Sequence, residues 1–302
     1  MKVLITGANG LLGQKLVPLL VNDPDFTVVA TSRGENRMEI AENLTYVSFD
    51  LLSEGDIEHQ IDSIKPDCII HTAAMTNVDQ CELEKEACYQ INVEAVRHLV
   101  KAAEKIQAFF IHLSTDFIFD GKEGPLDEDA EAEPVNYYGE TKLIAEKIIR
   151  ESRLRWAIAR TVLVYGITNE MSRSNIILWV KNSLEKGEKI RVVNDQWRTP
   201  TLAEDLAMGC YLIAKKQAVG IFNISGSDFL TPYAMAMKVA DYFNLDKSLI
   251  EETDSTIFKQ PARRPMITGF NIQKAREELG YTPHSFEEGI QIVARQTEAR
   301  KS

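Results

Sequence analysis

Tyr138 and Lys142 stand four residues apart in YGETK, inside a stretch whose apolar pattern predicts a helix from about Val135 to Ser152. At that spacing two side chains share one helix face, one turn apart. A phenol is a poor acid–base catalyst at neutral pH, and an adjacent ammonium that stabilises its phenolate would bring it toward the working range. Tyr137 has no lysine at the same offset. Upstream, the apolar run AFFIHLS ends in Ser114, Thr115 and Asp116. Small hydroxyls there could hydrogen-bond a substrate carbonyl, or could simply satisfy backbone groups at a strand end.

A second cluster opens the chain. Gly7, Gly10 and Gly13, in GANGLLG, follow the strand-like KVLIT and begin an amphipathic stretch. A glycine-rich turn between strand and helix lets the backbone approach a pyrophosphate, whose charge is met by free N–H groups and the positive helix end. The spacing is GxxGxxG rather than GxGxxG, so the strand–turn–helix placement carries this reading. At the end of the second strand, where a carboxylate would bind the ribose 2′-hydroxyl of NAD, the chain has Thr31, Ser32 and Arg33. A hydroxyl and a guanidinium suit a 2′-phosphate, which favours NADPH over NADH; a solvated loop arginine is the alternative. Asp50, ending the third strand, is placed either to reach the adenine amino group or to cap the next helix.

The elements that must hold these groups follow from periodicity. Short β-branched runs (KVLIT, TVVAT, LTYVSF, DCIIHTA, AFFIHLS, WAIART) alternate with amphipathic stretches at Leu11 to Val21, Ile57 to Ile64 and Cys81 to Lys105. Runs this short and apolar on both faces predict an α/β fold, a doubly wound parallel sheet of Rossmann type covered by helices. Beyond Gly166 the pattern loosens, with helices expected at Ile176 to Lys186, Ala203 to Lys215 and Tyr233 to Phe243, and strands at KIRVV and GIFNIS. The expected division is a dinucleotide-binding domain over 1–165 and a smaller α/β substrate-binding domain over 166–302, with the tail of the first interleaved among later segments.

The 302 residues carry 34 Lys+Arg against 45 Asp+Glu, a net charge of −11, which disfavours a nucleic-acid partner. Neither a secretory leader nor an apolar run of membrane-spanning length is apparent, so a cytoplasmic protein without a membrane partner is expected. Cys68, Cys81, Cys88 and Cys210 form no CxxC pair and read as reduced, mostly buried thiols. His71 and His112 lie inside apolar strands and read as packed histidines with a satisfied ring nitrogen. No obligatory metal is expected.

Taken in order, GANGLLGQ, HTAAMTNVDQCE, INVEA, HLSTDFIFDG, YYGETKLIAEK, ARTVLVYG and DQWRTPTLAEDLA resemble the dTDP-4-dehydrorhamnose reductase family, and the resemblance covers nearly the whole chain. It implies NADPH-dependent reduction of the 4-keto group of a nucleotide-linked deoxysugar, dTDP-4-dehydrorhamnose to dTDP-L-rhamnose. Thr115, Tyr138 and Lys142 would be catalytic. Gly7, Asn9, Gly10, Leu11, Leu12, Gly13, Ser32, Arg33, Asp50, Leu51, Ala73, Ala74 and Thr76 would surround the cofactor together with Tyr138 and Lys142. Thr76, Val78, Asp116, Trp197, Arg198 and Arg264 would face the sugar nucleotide, with Arg263 a further candidate, because an acidic protein must gather cations locally to hold a diphosphate. Two positions depart from the family pattern: Arg198 stands where DQxGxPT has a small residue, and Ala145 where glycine is common.

Two other functions occur on the same fold, the first opposed by Arg33 and the DQxxxPT segment and the second sharing much of the motif order. One is a nucleotide-sugar epimerase or dehydratase that recycles a tightly bound NAD. The other is a non-catalytic NADP-binding regulatory subunit resembling that of methionine adenosyltransferase. A homodimer is compatible with all three.

Overall fold

The computed structural model describes residues 1–39, 41–168 and 175–300; residues 169–174 and 301–302 of the expected second unit lie outside them. The chain runs β1 (Lys2–Thr6), α1 (Leu11–Val21), β2 (Thr27–Thr31), β3 (Leu44–Val47), α2 (Glu54–Ile64), β4 (Cys68–His71), α3 (Val78–Leu83), α4 (Lys85–Tyr89) and α5 (Ala95–Ile106). It continues through β5 (Phe109–Thr115), α6 (Tyr137–Glu151), β6 (Trp156–Thr161), β7 (Val164–Tyr165), α7 (Ile176–Glu185), β8 (Ile190–Val193) and β9 (Thr201–Leu202). The last elements are α8 (Ala203–Lys216), β10 (Gly220–Asn223), α9 (Pro232–Tyr242), β11 (Ile250–Thr253) and α10 (Phe286–Ala299).

Seven strands form one sheet in the order β10-β6-β5-β4-β1-β2-β3, every pair parallel. The alternation of side chains along each strand divides the core in two. Val3, Ile5, Val28, Ile70, Ile111 and Ala159 meet Leu16 and Leu20 of α1 and Cys210 and Ile213 of α8 on one face. Leu4, Val29, Ile69, Phe110 and Ile158 meet Ile57 and Ile61 of α2, Val96 and Leu99 of α5 and Ile149 of α6 on the other. Burial on both faces is why these strands read as continuous apolar runs. Strand order reverses direction between β1 and β4, and the crevice outside the carboxyl ends at such a switch point is where ligands bind in open α/β sheets.

Elements beyond residue 165 return to this sheet: α8 packs on α1, and β10 is its edge strand beside β6. The remaining late elements build a separate core in which Ile177, Val180, Val192, Met235, Val239, Phe286 and Ile290 pack together, flanked by the parallel pairs β8–β11 and β7–β9. The long helix expected over 81–105 is instead three segments. Glu84 leaves helical geometry at φ −119°, ψ 57°, and Gln90–Glu94 form a π-helical turn before α5. Such turns disturb the ordinary ladder and often accompany functional sites.

Candidate active site

The parallel register brings the expected residues to one edge. Thr6 lies opposite both Thr31 and His71, His71 opposite His112, and Thr115 opposite Thr161. Gly7, Ser32 and Thr72 therefore leave the sheet side by side, while β5 runs three residues beyond His112 to Thr115 before the chain turns at Asp116.

At the cofactor end, Gly7 has φ +69°, and a Cβ there would lie 2.8 Å from the Ala73 amide nitrogen. Only glycine tolerates both demands. A Cβ at Gly13 would stand 2.5 Å from the Ala8 backbone, so α1 lies directly against the turn, whereas one at Gly10 would meet only the Gly7 carbonyl at 3.1 Å. The outer side of the turn is thus open. Gly10 begins α1 with no side-chain cap, leaving the amides of the first turn, at Leu11 and Leu12, for an anion. This arrangement fits a dinucleotide pyrophosphate.

Asn9 shapes the neighbouring loop: its Nδ2 donates to the Glu35 carbonyl at 2.9 Å and its Oδ1 accepts from the Arg37 amide at 3.2 Å. The Tyr46 hydroxyl donates to the Gly34 carbonyl at 2.9 Å. Arg33 and Arg37 are exposed on this loop, and Arg37 is a cation that motif reading overlooked. Asp50 is exposed and accepts from the Leu52 amide at 3.0 Å; the cap of α2 is Ser53, which accepts from Asp56. Leu51 packs against the second core face. Ala73, Ala74 and Thr76 lie on the irregular segment between β4 and α3, with Thr76 exposed.

At the chemical end, the close seating of α6 depends on Gly139, whose Cβ would fall 2.0 Å from the Phe117 carbonyl oxygen. That contact sets Tyr138 beside Thr115. Asn136 caps the helix by accepting from the Gly139 amide at 2.9 Å and donates to the Arg263 carbonyl at 2.8 Å. Such a cap contributes about 1 kcal/mol. Glu82 accepts from the Tyr137 amide at 3.1 Å.

Tyr138 and Lys142 are both buried. Burial pushes the Tyr138 phenol above the usual tyrosine range, while its interaction with the Thr115 hydroxyl pulls the other way. The expectation that Lys142 would make Tyr138 more acidic is therefore corrected: desolvation dominates, and the Lys142 ammonium lies 3.1 Å from His112 Nε2. Burial lowers Lys142 itself to about 8.

The Thr115 hydroxyl donates to Asp116 Oδ1 at 3.0 Å and accepts from the Phe117 amide at 3.2 Å. A hydroxyl has one proton to give, so Thr115 must release Asp116 before it can donate to a carbonyl. Asp116 is raised by burial and opposed by Arg198 and by the Thr268 hydroxyl, which donates to Oδ2 at 2.5 Å. Ser114 is buried at the same edge, and its Oγ has no partner among the described residues.

The three arginines fare differently. Arg198 is buried, donating to the Trp197, Met266 and Pro265 carbonyls at 2.7, 3.0 and 2.6 Å, with Nε 3.8 Å from Asp116. Arg264 grips Asp79 with two bonds at 2.5 and 2.7 Å, one residue from Val78. Arg263 is exposed. Trp197 is 40% exposed and lies 5.2 Å from the Phe229 ring.

Asn92, also overlooked, joins the two ends of the cleft. Its Oδ1 accepts from the Met75 amide at 2.8 Å, and its Nδ2 donates to the Met75 carbonyl at 3.0 Å and to Thr141 Oγ1 at 3.2 Å. A buried asparagine inside the apolar stripe INVEAVRHLV was the available signal. None of the four cysteines forms a disulfide, and all are buried. Among the described residues no His/Cys/Asp/Glu group could hold a metal, and no helix is long and apolar enough to cross a membrane.

Comparison with known proteins adds three findings. The family described as the RmlD substrate binding domain matches residues 1–298. Methionine adenosyltransferase 2 subunit beta of Mus musculus is 32% identical over 286 residues, covering 92% of this chain and 82% of that protein; dTDP-4-dehydrorhamnose reductase of Aggregatibacter actinomycetemcomitans is 28% identical over 304 residues, covering 97% and 98%. The crystal structure of dTDP-4-dehydrorhamnose reductase from Bacillus anthracis in complex with NADP superposes with a TM-score of 0.83 at 26% identity, covering 98% of this chain and 99% of that one.

Proposed function

Because this chain belongs to the RmlD substrate binding domain family, we propose that it is an NADPH-dependent oxidoreductase that reduces the 4-keto group of a nucleotide-linked deoxysugar, with dTDP-4-dehydrorhamnose the foremost substrate. The observation that carries this reading is the convergence of Thr115, Tyr138 and Lys142 at the sheet edge that also carries the open glycine turn. The cofactor, when bound, supplies the hydride. Tyr138 remains a neutral phenol across the physiological range, so its proton is available to the developing alkoxide. Lys142 provides positive charge within the same buried cluster, and Thr115 turns from Asp116 to stabilise the oxyanion as charge builds. Ser32, Arg33 and Arg37 would receive the 2′-phosphate. The exposed Arg263 would serve the sugar-nucleotide diphosphate, since Arg198 and Arg264 already hold protein acceptors. Four buried cysteines without a disulfide suit a reducing, cytoplasmic compartment.

The similarity to subunit beta of methionine adenosyltransferase 2 favours a second reading, in which the chain binds NADP as part of a larger enzyme. One assay separates them: NADPH oxidation with dTDP-4-dehydro-6-deoxy-L-mannose, run beside Tyr138→Phe. Turnover that the variant lacks, with NADPH binding retained, supports the reductase; NADPH binding without turnover of any 4-keto sugar refutes it.

A further inference from the structure

Among the described residues the buried Lys142 ammonium has one hydrogen-bond partner, His112 Nε2 at 3.1 Å. We infer that His112 is a positioning residue for the reaction, a neutral acceptor that holds the Lys142 side chain in place and keeps it charged. This rests on the reading of Lys142 as catalytic.

An ammonium has three protons to donate and no lone pair. His112 must therefore offer an unprotonated Nε2 and carry its proton on Nδ1. Its surroundings favour that neutral form: burial disfavours imidazolium, and the Lys142 ammonium opposes a further positive charge. The His71 ring is stacked on His112 with centroids 5.5 Å apart at 21°. His71 is itself held down to about 3 by burial and by Lys142, and its Nδ1 meets Thr6 Oγ1 at 2.7 Å. Thr6 is the last residue before the glycine turn. A chain of contacts thus runs from Lys142 on α6, through two neutral imidazoles on β5 and β4, to the strand that leads into Gly7.

The other groups facing Lys142 do not substitute for His112. Glu146, one turn along α6, is taken by Arg160 of β6 with bonds of 3.0 and 2.8 Å. Cys88 of α4 contacts Thr141 and Asn92. Tyr138, on the same face, interacts with Thr115. A carboxylate in place of His112 would lock the ammonium into a buried ion pair; the imidazole holds it without cancelling its charge.

The test compares the pH dependence of kcat/KM in the parent, His112→Leu and His112→Gln. Loss of the acceptor destabilises the ammonium, so the lysine loses its proton at lower pH and the basic limb of the profile moves down. Loss of a charge-assisted hydrogen bond predicts a shift of roughly one to two pH units for leucine. Glutamine, whose carbonyl can accept, should return the limb most of the way. A leucine profile that coincides with the parent, or a glutamine profile displaced as far as leucine, overturns the inference. A second measurement needs no turnover: NMR titration of isotope-labelled lysine, with Lys142 assigned from Lys142→Met, in the parent and both variants. Absence of turnover in the parent would sink the reductase reading. An unchanged Lys142 titration in His112→Leu would sink this one.

Discussion

Glu146→Gln tests how far a buried charge pair supports the catalytic helix. Glu146 is fully buried and Arg160 nearly so, joined through Nε and Nη2 at 3.0 and 2.8 Å. Glutamine preserves the shape but turns one acceptor into a donor facing a guanidinium N–H and leaves the Arg160 charge uncompensated. Breaking one partner of a buried pair costs about 3–5 kcal/mol. Arg160 keeps a bond to the Glu128 carbonyl at 2.9 Å and its position 5.4 Å over the Phe119 ring, which places the expected loss near the lower bound, about 3 kcal/mol. For a chain of this length that corresponds to a fall in Tm of roughly 6 °C. Urea unfolding and thermal melting of the parent, Glu146→Gln and the double variant Glu146→Met with Arg160→Met would measure it. The double variant should recover most of the loss, since apolar replacement of a whole buried pair is often neutral or stabilising. A single variant within about 1 kcal/mol of the parent, or a double variant no better than the single, would refute the reasoning.

Three further outcomes follow from the same geometry. Lys142 is held down to about 8 by burial, so kcat/KM should fall as pH rises through that value and the ammonium is lost; a profile flat to about pH 10 would contradict it. Arg33→Ala should raise the KM for NADPH by about 10- to 100-fold and leave NADH unchanged, as expected for loss of charge-assisted bonds to a 2′-phosphate; equal effects on both cofactors would remove Arg33 from that role. Gly139→Ala places a methyl 2.0 Å from the Phe117 carbonyl oxygen, so α6 must lift, with a loss of about 1–3 kcal/mol in a melt and a fall in kcat larger than any change in NADPH affinity. Parental kcat in that variant would show that the seating of α6 does not set the Tyr138 position.

The order of elements through residue 161 was legible because each strand is short, β-branched and buried on both faces, and because Gly7, Gly10 and Gly13 sit between a strand and a helix. That Tyr138 and Lys142 share one helix was legible from their spacing. The break at Glu84 and the π turn over Gln90–Glu94 were not, since no Gly or Pro marks either place, and the contacts that Asn92 makes there with Met75 and Thr141 join distant segments that local propensity does not register. The same applies to β10, whose run GIFNIS reads as a strand but whose place beside β6 depends on the long return of the chain through α8.

By itself the sequence determined which side chains were available for chemistry and that they would collect at one sheet edge, because periodicity and turn residues act over short range. Only the tertiary structure decided how those groups are occupied. Arg198 and Arg264 are bound to carbonyls and to Asp79, the Thr115 proton goes to Asp116, and Lys142 turns to His112. Each of these choices depends on which distant segments desolvate a charge and which acceptors they bring within about 3 Å of it.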